Sequence, residues 1–147
     1  MSSTCEPGKN HPSAPIYLAS GCLLGLVCRY DGRVKEYPEC RRELVGKIYV
    51  PVCPEQLGGL PTPREPADLI GGDGAAVLAG LARVVTRSGV DVTANFVLGA
   101  EQVLRIAREL QVAGVFLKSG SPSCGAGRVL GVTAALLRRE GFAVREF

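Results

Sequence analysis

The stretch Val112-Ala-Gly-Val-Phe-Leu-Lys-Ser-Gly-Ser-Pro-Ser-Cys-Gly-Ala-Gly127 decides how the rest of the chain is read. Val112 to Leu117 is an apolar run of the length of a buried strand. It breaks into a loop of Ser, Gly and Pro that holds one cysteine, Cys124. Gly120, Gly125 and Gly127 accept backbone angles that other residues resist, while Pro122 fixes its own φ and restricts Ser121 before it. The loop is small and stiff, and it sets a thiol among hydroxyls. The same arrangement of strand and thiol occurs twice more. Cys22 follows Ile16-Tyr-Leu-Ala-Ser20, and Cys53 follows Ile48-Tyr-Val-Pro-Val52 within a strand starting at Lys47.

Helical patterns lie between these strands. Thr93 to Leu110 is the strongest, with Phe96, Ala100, Val103, Leu104, Ala107 and Leu110 at three- and four-residue spacing. Tyr37 to Gly46 reads as a short helix, Asp73 to Leu81 as one helical piece, and Val132 to Glu140 as a last helix before a strand at Phe142 to Arg145. Ala82 to Thr86 and Val90 to Val92 flank Ser88-Gly89 as a small hairpin, with a continuous helix through Arg87 as the competing reading. Cys53 to Pro66 holds four prolines, which argues for a loop over a helix or a central strand. Strands alternating with helices predict an α/β fold: a Rossmann-like, mostly parallel sheet flanked by helices, in a single domain from 16 to 147 after a flexible tail, 1 to 15. Ligands of such sheets sit beyond the carboxyl ends of the strands, so Cys22, Cys53 and Cys124 are expected at one rim.

Composition narrows the function. The net charge of +3 is modest and the 17 basic residues are spread out, so a solvated surface is favoured over an anionic partner. There is no Trp, and the stacking platforms of single-strand nucleic-acid binders are not evident. No segment approaches the roughly 18 apolar residues of a membrane span. Met1 to Pro15 lacks the apolar centre of a signal peptide, so a cytoplasmic location is expected. In that compartment six cysteines favour metal binding or catalysis over disulfides.

Thiolates suit zinc, copper(I) or iron–sulfur clusters. Structural zinc sites favour cysteines two to four residues apart, whereas these three are separated by tens of residues. A cluster held by three thiolates, with one iron open, fits three isolated loops; ordinary buried cysteines are the bland alternative. Glu55, two residues past Cys53, can move protons or simply be solvated. Ser121 can relay a proton or form a turn. Arg29, Tyr30 and Asp31 either bind substrate or form a turn with a surface ion pair. Cys5 and the lone His11 are expected to have no role.

Several blocks together resemble the 2-thiouracil desulfurase family. They are Cys22-Leu-Leu-Gly25 with Cys28-Arg-Tyr-Asp-Gly32, Val52-Cys-Pro-Glu-Gln-Leu-Gly-Gly-Leu-Pro-Thr-Pro-Arg64, Asp91-Val-Thr93, Leu117-Lys-Ser-Gly-Ser-Pro-Ser-Cys-Gly125 and Gly131-Val-Thr-Ala-Ala-Leu-Leu137. The resemblance implies a [4Fe-4S] cluster held by Cys22, Cys53 and Cys124, with the fourth iron free. It implies Glu55 and Ser121 as the acid/base pair, and substrate contacts from Arg29, Asp31 and Ser123. Cys28 falls outside the implied ligand set, and Cys5 and Cys40 match no motif. The implied reaction turns the C=S of a small thiolated pyrimidine into C=O without net electron transfer; the free iron acts as a Lewis acid for the sulfur. Neither DNA nor a membrane is implied, and thiolated tRNA is possible but not favoured. A structural or sulfur-carrier protein is the alternative. One departure stands out: only Ala126-Gly-Arg-Val-Leu130 joins the Cys124 loop to the last helix, where the family has a longer segment.

Overall fold

The computed structural model describes residues 14–147, so the predicted tail, with Cys5 and His11, lies almost wholly outside the described residues. Four parallel strands form the main sheet in the order β2-β1-β5-β6: β1 (Ile16–Ser20), β2 (Ile48–Val52), β5 (Gly114–Leu117) and β6 (Val144–Glu146). Between them come α1 (Pro38–Leu44), α2 (Pro54–Leu57), α3 (Gly74–Leu78), α4 (Thr93–Leu110) and α5 (Val132–Arg139). The expected Rossmann-like α/β architecture is what forms, in a single domain.

The two faces of the sheet are covered unequally. On one, Leu18, Val52, Val115 and Leu117 meet Phe96, Val103 and Ala107 of α4 and Val132, Leu136 and Leu137 of α5. Phe96 is buried there, a burial worth about 2–3 kcal/mol. On the other face, Ala19 and Phe116 pack against Leu23 and against Cys40 and Leu44 of α1. Cys40 is a core side chain, in keeping with its lack of a motif.

Register sets up the rim. Ser20 lies opposite Val52, and Ala19 opposite Phe116, so β1, β2 and β5 end side by side. The residues that follow them, Cys22, Cys53 and the Lys118 loop, therefore leave the sheet together. Ser20 adds a stitch, its hydroxyl accepting the Lys118 amide at 3.0 Å.

Two expectations need correction. The proline-rich stretch after Cys53 opens with a helical turn, α2, because Pro54 sits at its first position, where a missing N–H costs nothing. The segment near residue 85 is strand and not helix. Thr86 and Val90 do form the expected turn, with the Thr86 amide on the Val90 carbonyl at 2.8 Å. Yet the main partner of β4 (Arg83–Thr86) is an unpredicted strand, β3 (Ala67–Ile70), running antiparallel to it. Four residues straight after Pro66 give too short an alternation to read.

Candidate active site

One cavity of about 620 Å³ opens beyond the carboxyl ends of the strands. Its lining brings together Cys22, Cys53, Cys124, Glu55, Ser121, Ser123 and Arg29. Of the eight residues singled out from the sequence, only Asp31 lies off this wall. Asp31 grips Arg29 instead, Nε to Oδ1 at 3.2 Å and Nη2 to Oδ2 at 3.1 Å, and the Arg29 guanidinium reaches the Tyr37 hydroxyl at 3.3 Å. The pairing with Arg29 holds the Asp31 carboxyl down at about 2. The ion-pair alternative is thus present, and it aims Arg29 at the cavity.

The thiols differ sharply. Cys22 and Cys53 are half-buried, while Cys124 is buried. Between the first two stands Cys28, also buried, within hydrogen-bonding reach of both. Its donation holds the Cys53 thiol at about 6, helped by the Gln56 amide and Arg64 and opposed by burial. The Cys22 thiol is lowered for the same first reason, with Lys118 and Arg29 adding to it. Cys28, the donor, is raised far above the usual thiol range. Burial pushes Cys124 up to about 12, against hydrogen bonds from Ser20 and Ser123. Spacing gave no reason to join Cys28 to this group; only the path of the Gly21–Gly32 loop does so.

Glu55 is fixed on both oxygens. Oε1 accepts Arg64 Nε at 3.1 Å, and Oε2 accepts the Ser123 hydroxyl at 2.9 Å. Ser123 Oγ lies 2.9 Å from Ser121 Oγ, and Ser121 Oγ in turn accepts the amides of Ser123 and Cys124, each at 3.2 Å. Arg64 is anchored by the carbonyls of Cys28 (2.8 Å) and Pro61 (3.0 Å). Its side chain and that of Glu55 are 7 and 16% exposed, so loss of either partner strands a largely buried charge, at about 3–5 kcal/mol. Ser20 and Arg64 were missed as site residues. Arg64 closes the Pro61-Thr-Pro-Arg64 block, but a lone arginine in a loop signals nothing until its partner is known.

Backbone bonds also hold the Cys124 loop against α5. The first amides of α5 have no side-chain cap; Val132 donates to Pro122 at 2.9 Å and Thr133 to Ser123 at 2.8 Å. A Cβ on Gly131 would stand 2.5 Å from the Ser123 carbonyl, so that position needs glycine. The short connection Ala126–Leu130 folds back, Gly131 N donating to Gly125 O at 2.7 Å. Glu146 Oε2 accepts the Ala126 amide at 2.9 Å from the chain's far end.

Among the described residues no three His, Cys, Asp or Glu side chains close around a point at single-ion distance, and no helix is long and apolar enough to cross a membrane. The donors facing the cavity are soft thiols backed by the cations of Arg29 and Lys118. Three thiols from three chain segments suit a multinuclear iron–sulfur group better than one hard cation.

A sequence model of the 2-thiouracil desulfurase family matches residues 17–146. The uncharacterized protein YbbK of Bacillus subtilis (strain 168) is 45% identical over 141 residues, covering 88% of this chain and 93% of that protein. Among solved structures, the [4Fe-4S]-dependent thiouracil desulfidase TudS is similar at 39% identity, with a TM-score of 0.75 and 90% of each chain covered.

Proposed function

We propose that this chain, which belongs to the 2-thiouracil desulfurase family, is an iron–sulfur enzyme that replaces the sulfur of a thiolated pyrimidine base or nucleotide with oxygen. The observation that carries the reading is the meeting, in one cavity, of three thiols from separate strand ends with a carboxylate already linked to two hydroxyls.

In this reading Cys22, Cys53 and Cys124 hold a [4Fe-4S] cluster. When bound, the cluster supplies a Lewis-acidic iron free of protein ligands for the thiocarbonyl sulfur. The protein's own residues do the rest. Glu55, kept in place by Arg64, takes the proton of the water that adds at the thiocarbonyl carbon. Ser121 stands at the cavity end of the hydroxyl pair and passes protons on that side. Arg29 and Lys118 place positive charge where thiolates and a polarised substrate gather. Asp31 aims Arg29 and keeps it from folding away.

Iron, acid-labile sulfide and a visible spectrum, measured on protein reconstituted without oxygen, test this directly. About four of each per chain with broad absorption near roughly 400 nm is expected, followed by release of uracil from 2-thiouracil. Glu55→Ala should keep the iron and lose turnover by about 10²–10⁴-fold. Zinc, or no metal at all, would turn the reading to a structural or sulfur-carrier protein.

A further inference from the structure

Tyr37 lines the cavity, yet no motif and no step above uses it. It stands just ahead of α1, and its ring packs against Ala19, Leu23, Cys40, Leu44 and Phe116, which fixes the ring in place. The Tyr37 hydroxyl oxygen accepts Arg29 Nη1 at 3.3 Å. Asp31 holds the rest of that guanidinium at Nε and Nη2, so Arg29 stays on the tyrosine oxygen. With a cation on its oxygen, the hydroxyl turns its own proton away from Arg29, and among the described residues no side chain or carbonyl accepts it. Lys118 completes the group, its Nζ lying 5.5 Å from the centre of the Tyr37 ring and donating to the carbonyl and hydroxyl of Ser119. Guanidinium and ammonium carry N–H donors and no acceptor. The cavity's carboxylates come from other elements, Glu55 from α2 and Asp68 from β3, and both oxygens of Glu55 are taken by Arg64 and Ser123. The Arg29–Tyr37–Lys118 part of the wall therefore offers donors. It suits a carbonyl oxygen, whereas an amino group set against it would leave donors facing donors.

We propose that Tyr37 is a specificity-determining residue: its hydroxyl donates to the ring oxygen that stays on the pyrimidine, so that the site takes thiouracils and rejects thiocytosines, whose amino group cannot accept. This rests on the desulfuration reading above and adds which substrate atom is recognised. Arg29 is then the positioning residue for that hydroxyl, and Asp31 acts one step behind it.

The test compares full-length wild type and Tyr37→Phe, both reconstituted without oxygen and counted for iron, on 2-thiouracil and on 2-thiocytosine. Phenylalanine keeps the packed ring and removes the hydroxyl alone. Wild type is expected to favour 2-thiouracil over 2-thiocytosine by about 10²-fold or more in kcat/KM. Tyr37→Phe should keep its iron, raise KM for 2-thiouracil by about 3–10-fold and leave kcat within about twofold, as for a contact made equally in ground and transition states. Its preference for 2-thiouracil should shrink by about the same factor. The Kd of the product uracil, from a ligand-observed NMR titration that needs no turnover, should rise in step. An equal loss on both substrates would place the effect in the charge of Arg29 and overturn the proposal. So would an unchanged KM and preference, a fall in kcat alone, or a loss of iron, which would make Tyr37 a support of the fold. Iron-loaded wild type that leaves 2-thiouracil intact instead overturns the desulfuration reading itself, and the specificity built on it.

Discussion

The two sides of the cavity are built by opposite means. The Cys124 side is a backbone construction: a loop pinned by the amides of α5, by Glu146 and by a glycine contact, with its thiol buried and protonated. The Cys22 and Cys53 side is a side-chain construction, with half-buried thiols tuned by Cys28, Arg29, Lys118 and Arg64. The difference teaches that one wall fixes geometry and the other fixes charge. A ligand entering the cavity meets thiols whose pKa is lowered on the charged wall, and one raised to about 12 at Cys124.

The widest contrast to test is chemical. In iron-free protein, alkylation of Cys53 should follow its depressed pKa, half-maximal near pH 6 and complete above it, while Cys124 should stay unreacted until about pH 12 or until the fold opens. Peptide mass mapping after timed iodoacetamide treatment reads this out. Equal labelling of the two at neutral pH would break the comparison.

Next is stiffness. Gly131→Ala drives a Cβ into the Ser123 backbone and should cost about 1–3 kcal/mol, or more where the loop cannot give way. Gly25→Ala, in the Cys22 loop, is strained mainly by its positive φ of 82°; the nearest atom is Arg41 Nη2 at 3.3 Å, the end of a long side chain that bonds the Leu24 carbonyl, so about 1 kcal/mol is expected. Thermal unfolding of both variants should rank them in that order. The reverse ranking would make the charged wall the rigid one.

The smallest effect concerns the remote tie. Glu146→Ala frees the Ala126 amide and should cost about 1 kcal/mol, while Glu146→Gln keeps an acceptor and should cost less. Faster loss of iron to a chelator in the alanine variant alone would place the tie in cluster retention. No change in either variant would show that the loop stands without it.

Much of this was legible in the sequence. The strand ends were, because apolar runs broken by Gly and Pro define them with little help from tertiary packing, and α4 was found to its terminal residues. Glu55, Ser121 and the three thiols were legible because each sits in a block of unusual composition. The nearness of Cys28 to Cys22 and Cys53 is not legible, because it depends on how the Gly21–Gly32 loop curls, which no spacing records. The bond from Ser123 to Glu55 is not legible, because a side chain's neighbours cannot be read from its own loop and the two residues are 68 positions apart. The β3 strand escaped because its partner is separated from it by a helix.

α2 and α4 meet at Gly58 and Gly99, where a Cβ on either would overlap the other segment's backbone, at the Asn95 and Pro54 carbonyls. Asn95 closes the joint by donating to the Gly58 carbonyl at 2.9 Å. With glycine on both sides of the closest approach, the one-turn helix bearing Glu55 rides on α4 as a carriage on a rail. A shift of the long helix, provoked at its outer surface far from the thiols, would travel undamped into the aim of a single carboxylate. The 18-residue helix is thus the alignment bench of that carboxylate.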